Sequence, residues 1–161
     1  ESVVRLLDLG MDPMNFADSL VGIVAQRLVR ALCPHCATPH RLGPGQFDRL
    51  LAEYIDRSSL TPAEGQRRLL AAAGIESPEQ ILVHTATGCE KCSGKGYKGR
   101  MGIYEIFENN PAIRELIQRH ARPSELFEAA IASGMRSLRH DALEKLVQGK
   151  IDVRQARVAY I

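Results

Sequence analysis

Leu32-Cys33-Pro34-His35-Cys36 and Gly88-Cys89-Glu90-Lys91-Cys92 decide the reading of this chain, because together they hold all four of its cysteines. Two thiols spaced two residues apart on a tight turn can grip one edge of a tetrahedral ion. A second such turn supplies the other edge, at Zn–S distances of about 2.3 Å. A disulfide inside either turn would be strained and reducible, which suits redox chemistry better than structure. The spacing therefore favours one tetrathiolate zinc held by Cys33, Cys36, Cys89 and Cys92, with a redox pair or four unrelated thiols as the alternatives. The stretch between the pairs is longer than in a compact zinc ribbon, so the ion would close a large insertion. Such a site is a structural staple, since four thiolates leave no position open for water or substrate. His35 and His84 are the only nearby substitutes as ligands and are expected to be bystanders. His40, His120 and His140 have no partner visible in the sequence.

Working outward, the 161 residues are 45% hydrophobic and 25% charged, ordinary material for a folded domain with one core and a smaller metal lobe. A formal charge of +2 lacks the dense basic stripe of a nucleic-acid binder, and aromatics at 5% with no tryptophan leave few platforms for stacking bases. No nucleic-acid partner is expected. No apolar run approaches the roughly 18 residues that a membrane span needs, and no signal-peptide pattern is present. A reducing cytoplasmic setting is expected, where thiols favour metal over disulfide. The chain opens inside an amphipathic pattern with no initiating methionine, and reads as a piece of something longer.

Residues 2–9 predict a short helix ended by Gly10, followed by a turn at Asp12-Pro13. From Asn15 or Asp18 onward, Phe16, Leu20, Val21, Val24 and Leu28 recur at helical spacing and predict a helix to about Arg27, with a strand over 28–32 feeding the first cysteine turn. The segment 43–80 carries helical patches at 46–54 and 62–73, the second opened by the capping signal Thr61-Pro62-Ala63-Glu64. Ser93 to Gly102 reads as a glycine-dense hairpin, and Ile103 to Phe107 as a strand. Helices are then expected over 112–119, from Pro123 to Ile131, from Ser137 or Arg139 to Gly149, and beyond the cap residue Asp152.

A phosphate cradle is the less favoured reading of the glycines near the second cysteine pair, because a Walker loop needs GxxxxGK followed by Ser or Thr and then a helix, whereas Gly94-Lys95-Gly96 leads into a strand; glycines that allow a tight hairpin around the metal fit better. Cys89 to Gly96 also matches CxxCxGxG, the unit repeated in J-domain co-chaperones. One copy is present, and the first pair lacks the glycines.

The ordered strings carry more. Asp8-Leu9-Gly10-Met11-Asp12-Pro13, then Ala25-Gln26-Arg27-Leu28-Val29-Arg30-Ala31-Leu32-Cys33-Pro34-His35-Cys36, and later Gly96-Tyr97-Lys98-Gly99-Arg100-Met101-Gly102-Ile103-Tyr104-Glu105 resemble the secretion ATPases of the GspE/PilB type, the motors of type II secretion and type IV pilus assembly. The resemblance covers roughly 3–42 and 82–161. It implies an α/β fold, mostly helical with a few short strands: the C-terminal fragment of a RecA-like P-loop ATPase domain with a tetracysteine zinc-binding subdomain inserted and a helical bundle at its end. The implied division is 1–32 as the tail of the ATPase core, 33–100 as the zinc subdomain with its helical insertion 43–80, and 101–161 as a strand plus helical subdomain.

For the full-length parent the resemblance implies a hexamer that binds ATP and Mg2+. It would work at the cytoplasmic side of the inner membrane with a platform protein and the secretion or pilus machinery, moving pseudopilins or pilins. The P-loop, acidic metal-binding and histidine motifs of the family do not occur in this sequence, so the fragment alone is expected to be inactive, with no catalytic residue of its own. The insertion 43–80 looks longer than the family's connection. Arg27 and Arg30, on the approach to the first cysteine turn, are candidates for a nucleotide or a subunit interface, against the simpler reading of solvated arginines. Arg100 is a candidate for packing on Tyr97 or meeting an acid, and Lys95 and Lys98 for offsetting the thiolate charge. The competing class is a free-standing zinc-binding interaction module without motor activity.

Overall fold

The computed structural model describes residues 2–160. Helix α1 (Ser2–Asp8) ends before Gly10, whose φ of 93° takes the left-handed turn expected there. Asp12-Pro13 is a helix start: the Asp12 carboxylate accepts the Asn15 amide at 2.9 Å, and Pro13 opens α2 (Pro13–Ser19).

The expected continuation of this helix to Arg27 is wrong. Its last turn closes at Leu20, and Gly22–Leu32 is strand β1. Val21, Ile23, Val24 and Val29 are β-branched and fit a pleated surface, and the apolar positions that matched a 3.6-residue period also match a period of two. Long-range pairing decided between them. β1 lies antiparallel to a later strand along its whole length, from Gly22 opposite Glu108 to Leu32 opposite Tyr97.

β2 (Ala37–Arg41) follows the first cysteine turn and pairs with β3 (Leu82–Ala86), a ribbon the sequence reading did not anticipate. Pro39 argues against a strand unless it lies at an edge, and every strand of a two-stranded ribbon is an edge. Between them run α3 (Gln46–Ile55) and α4 (Pro62–Ala73), close to the expected patches. Thr61 and Glu64 form the full capping box, each side chain satisfying the other's backbone amide, and Gly74 ends α4 in the left-handed region.

The expected hairpin at Ser93 to Gly102 is instead a tight turn running into one strand, β4 (Tyr97–Glu108). Gly99, at φ 83°, falls where the β1–β4 register slips between Arg30 and Leu32, so it makes a bulge in a long strand rather than a reversal. Helices α5 (Pro111–Gln118), α6 (Pro123–Ala132), α7 (Leu138–Val147) and α8 (Val153–Val158) complete the chain as expected, with Asn110, Ser137 and Asp152 accepting first-turn amides. Among the described residues the architecture is α/β, with two separate two-stranded ribbons between the helices.

Two apolar clusters hold these elements. One gathers Val3, Leu7, Phe16, Ile113, Ile117 and Ile131 from α1, α2, α5 and α6. The other gathers Val29, Tyr54, Leu69, Ile103, Leu143 and Leu146, so the insertion helices α3 and α4 share a core with α7 and the ribbon. Each fully buried side chain of this size contributes about 1.5–3 kcal/mol, which makes the insertion an integral part of the core. Ile23 and Phe107 of the ribbon pack against the first cluster and Val29 and Ile103 lie in the second, so β1 and β4 join the two. Among the described residues, no helix is long and apolar enough to cross a membrane.

Candidate metal centre

β1 delivers Cys33 to the point where the β1–β4 pairing ends. The Cys33 amide donates to the Gly96 carbonyl at 2.9 Å, and the Cys36 and Ala37 amides turn back to the Cys33 carbonyl at 3.2 and 3.0 Å. The second turn is a single 3-10 turn over Glu90–Cys92, after which Ser93 and Gly94 take positive φ and the Gly94 amide closes on the Cys89 carbonyl at 2.9 Å. Gly88 is required here, because a Cβ on it would stand 2.5 Å from the Gly94 carbonyl oxygen. The strand pair β2–β3 flanks both turns and is tied beside them by the Thr38 and Thr87 hydroxyls, 2.7 Å apart.

The four sulfurs of Cys33, Cys36, Cys89 and Cys92 all lie within 4.8 Å of one another. The Cys92 sulfur is 3.8 Å from that of Cys36 and 3.8 Å from that of Cys89. A disulfide holds its sulfurs at about 2.05 Å, so these are four free thiols. A tetrahedron with metal–sulfur bonds of about 2.3 Å has edges of about 3.8 Å, the separation of Cys92 from both Cys36 and Cys89, so the four thiols are close enough to share one ion. Neither His35 nor His84 belongs to the cluster.

Backbone donors aim at one of the sulfurs. The amides of Cys89 and Gly96 each point at Cys92 Sγ at 3.2 Å, the kind of outer contact that orients a ligand and stabilises negative charge on it. Burial works against ionising Cys92, yet these two amides and the neighbouring thiols bring it down to about 6. Cys36 is pushed up to about 12 by burial and by the thiols around it. Such a set reaches full thiolate charge when a cation shares it. Cys33 and Cys92 are buried and Cys36 and Cys89 half-buried, so the site lies just beneath the surface.

Arg27 and Arg30 are not brought together. Three positions apart on a strand puts them on opposite faces of β1. Arg27 borders a cleft with Asp56, Arg139 and Ser137 at the start of α7. Arg30 stands directly across from Arg100 of β4, and its amide donates to Gln155 Oε1 of α8 at 2.8 Å. Lys95 and Lys98 are exposed. Glu105 has a structural partner, the Leu138 amide at 3.2 Å, which helps cap α7.

Sequence reasoning missed the contacts that anchor the two cysteine turns and their flanking strands to the C-terminal helices. The Leu32 amide donates to the Lys150 carbonyl at 3.0 Å. The Tyr97 hydroxyl donates to Asp152, and the His84 ring lies so close to Gly149 that a Cβ there would fall 2.5 Å from Nδ1. All three end on the short link between α7 and α8. The helix end at Gly149 and the cap signal at Asp152 mark the link in the sequence, but not its partners.

The model of the family described as "Type II/IV secretion system protein" matches residues 1–158. The chain is 36% identical over 148 residues to the type II secretion system ATPase E of Vibrio cholerae, covering 92% of this chain and 25% of that protein. It is 34% identical over 149 residues to the type IV pilus assembly ATPase PilB of Thermus thermophilus, covering 92% of this chain and 14% of that protein. The type II secretion system protein E of Pseudomonas aeruginosa is 30% identical over 154 residues, again with only 26% of its length covered. The chain thus spans about a quarter or less of these relatives. With the family model matched almost end to end, this chain belongs to the type II/IV secretion system protein family.

Proposed function

We propose that this chain is the C-terminal part of a secretion or pilus-assembly ATPase, in which a structural zinc held by Cys33, Cys36, Cys89 and Cys92 fastens the insertion lobe to the motor's helical end. The observation that carries it is the match, over nearly the whole chain, to a segment of proteins named as ATPases of these two systems. In the whole protein a hexameric ring would bind ATP with Mg2+ and drive an inner-membrane platform and its pilins or pseudopilins from the cytoplasmic side. Domain limits of 1–32, 33–100 and 101–161 describe the tail of the ATPase core, the metal lobe and the terminal helices in this reading. Arg27 and Arg30 are then exposed groups available to a nucleotide or a neighbouring subunit.

Zinc is the metal this donor set suits. Four thiolates select a soft tetrahedral ion, and the 3.8 Å sulfur separations match one. Bound there it would supply a cross-link with no open coordination position. The chain's own residues do the rest: the Cys89 and Gly96 amides orient Cys92, and the Leu32 and Tyr97 contacts carry the lobe's position to α8. The sequence contains no GxxxxGK loop followed by Ser or Thr, so this part would couple motion and leave nucleotide cleavage to the rest of the motor.

The test is a pair of measurements. The intact reading frame that includes this chain should hydrolyse ATP with Mg2+ as a ring, while the chain alone shows no turnover above background and carries about one zinc per chain by elemental analysis. An intact protein without nucleotide hydrolysis would overturn the motor reading in favour of a free-standing zinc module. A metal-free chain with all four thiols freely reactive would overturn the staple.

A further inference from the structure

The metal lobe, the insertion and the last helix meet around a groove of about 240 Å3. Its floor is apolar: Leu50 of α3, Val83 of β3 and Leu146 of α7 are buried there, and Val153 of α8 is 40% exposed at the edge. Its rim carries two guanidinium groups, Arg49 of α3 and Arg157 of α8, with His40 of β2 beside them. The acid at the rim, Glu53, is already matched. Arg157 grips its two oxygens at 3.2 and 3.3 Å, and the Tyr160 hydroxyl donates to it as well. Arg49 is different. It is exposed, and among the described residues its guanidinium makes one long hydrogen bond of 3.4 Å to the Gly45 carbonyl of its own helix start and has no carboxylate partner.

Size narrows the occupant. Pockets that enclose a cofactor or a drug-sized ligand usually hold about 300–1,000 Å3, so a groove of this volume takes one bulky side chain rather than a whole small molecule. Charge narrows it again, since the Arg49 guanidinium at the mouth has no carboxylate among the described residues, and a guanidinium pairs in a planar fork with a carboxylate. We infer that this groove is a docking site for a partner polypeptide that inserts one aromatic or large aliphatic side chain between α3, α7 and α8 and sets an adjacent acidic residue on Arg49.

Such an anchor with a charged neighbour is how short segments gain specificity from little area. The insertion provides Arg49, Leu50 and Glu53, the metal lobe provides His40 and Val83, and α8 provides Val153 and Arg157, so the groove exists only while all three stay docked. It requires neither nucleotide nor the rest of a motor.

The metal-loaded chain, labelled with 15N, is titrated with the peptide acetyl-Gly-Glu-Phe-Glu-Gly-amide and with its counterpart carrying Lys in place of both Glu. The acidic peptide should shift the amides of Leu42, Arg49 and Val153 saturably, and the basic one should bind at least about tenfold more weakly. Arg49→Glu, an exposed change that leaves the floor intact, should weaken the acidic peptide by a similar factor and improve the basic one. Val153→Asp should weaken both. Equal binding of the two peptides, shifts confined to another face, or no saturation at concentrations on the order of several millimolar would overturn the proposal. So would concentration-dependent shifts of the same amides without peptide, which would assign the groove to a second copy of this chain. Tighter binding of sodium octanoate than of the acidic peptide would assign it to a lipid and overturn the proposal equally.

Discussion

The Tyr97 hydroxyl, just beyond the second cysteine turn, donates to the carboxylate of Asp152, which is at the same time the N-cap of α8 through its other oxygen at 2.9 Å from the Gln155 amide. One buried acid therefore ties the start of β4, beside the cysteine turns, to the final helix. Tyr97→Phe keeps the ring and removes the donor. It is expected to cost about 1–3 kcal/mol by leaving a buried carboxylate oxygen unsatisfied, read as a lower urea midpoint. Hydrogen exchange should show α8 opening more often in this variant than α5, which lies against the other core.

Metal removal should act on the same link. Structural tetrathiolate zinc contributes on the order of 10 kcal/mol of apparent folding free energy in small domains, more than a typical stability margin. Chelation, or Cys92→Ser, is expected to lower helical circular dichroism and the melting temperature, with loss of order starting in the β2–β3 ribbon. An unchanged melting curve after proven metal loss would argue against a structural ion.

Gly96 supplies an amide to Cys92 Sγ, sits at φ 75°, and would place a Cβ 2.6 Å from that of Ala86. Gly96→Ala should cost about 1–3 kcal/mol through left-handed backbone strain and overlap. It should also weaken metal retention in a chelator competition, whereas Gly10→Ala, at a positive φ with open space around it, should leave metal retention unchanged.

Tyr54 is fully buried in α3 and donates to Glu144 Oε1 at 2.7 Å, while Arg136 holds the same carboxylate at 3.1 and 3.2 Å. This is the polar bolt between the insertion and α7. Tyr54→Phe is expected to destabilise by about 1–3 kcal/mol, measured by urea unfolding, with the metal site intact.

His140, packed on the Tyr54 ring with centroids 4.5 Å apart, titrates far below its usual range. Burial is the main cause, reinforced by the positive charges of Arg68, Arg136 and Arg139, and together they bring it down to about 4. Because the unfolded chain takes up a proton near 6.5 and the folded chain does not, stability falls as pH drops from about 6.5 to about 4, by up to about 3 kcal/mol. His140→Gln keeps an acceptor for the Ser137 amide and should flatten the dependence in that window. At lower pH, carboxylates such as Glu64 and Glu125, both held under their ordinary range by hydrogen bonds from backbone amides at helix starts, add acid sensitivity to either form.

Local chemistry was legible wherever a few neighbouring residues settle the outcome. Thr61 with Glu64, Asn110 before Pro111, and Asp152 satisfy amides within one turn, so their helices begin where the side chains say they must. The two CxxC turns are equally local, and the closeness of their sulfurs follows once the intervening chain returns on itself. The stretch from Val21 to Leu32 was different, because its apolar positions satisfy helix and strand alike until Tyr97–Glu108 arrives to pair with it. Ala37–Arg41 was hidden for the opposite reason: it contains a proline and little apolar character, and only Leu82–Ala86 makes it a strand.

By itself, then, the sequence determined the helix starts, the paired thiols and the family likeness, since each rests on residues adjacent in the chain or on short strings in a fixed order along it. Tertiary structure decided which segments became strands, that the insertion shares its core with α7, and that Arg27 and Arg30 face opposite ways. Those outcomes depend on free energy gained only when distant segments meet, by pairing backbone groups and burying apolar surface against one another, and no short window of residues contains both partners.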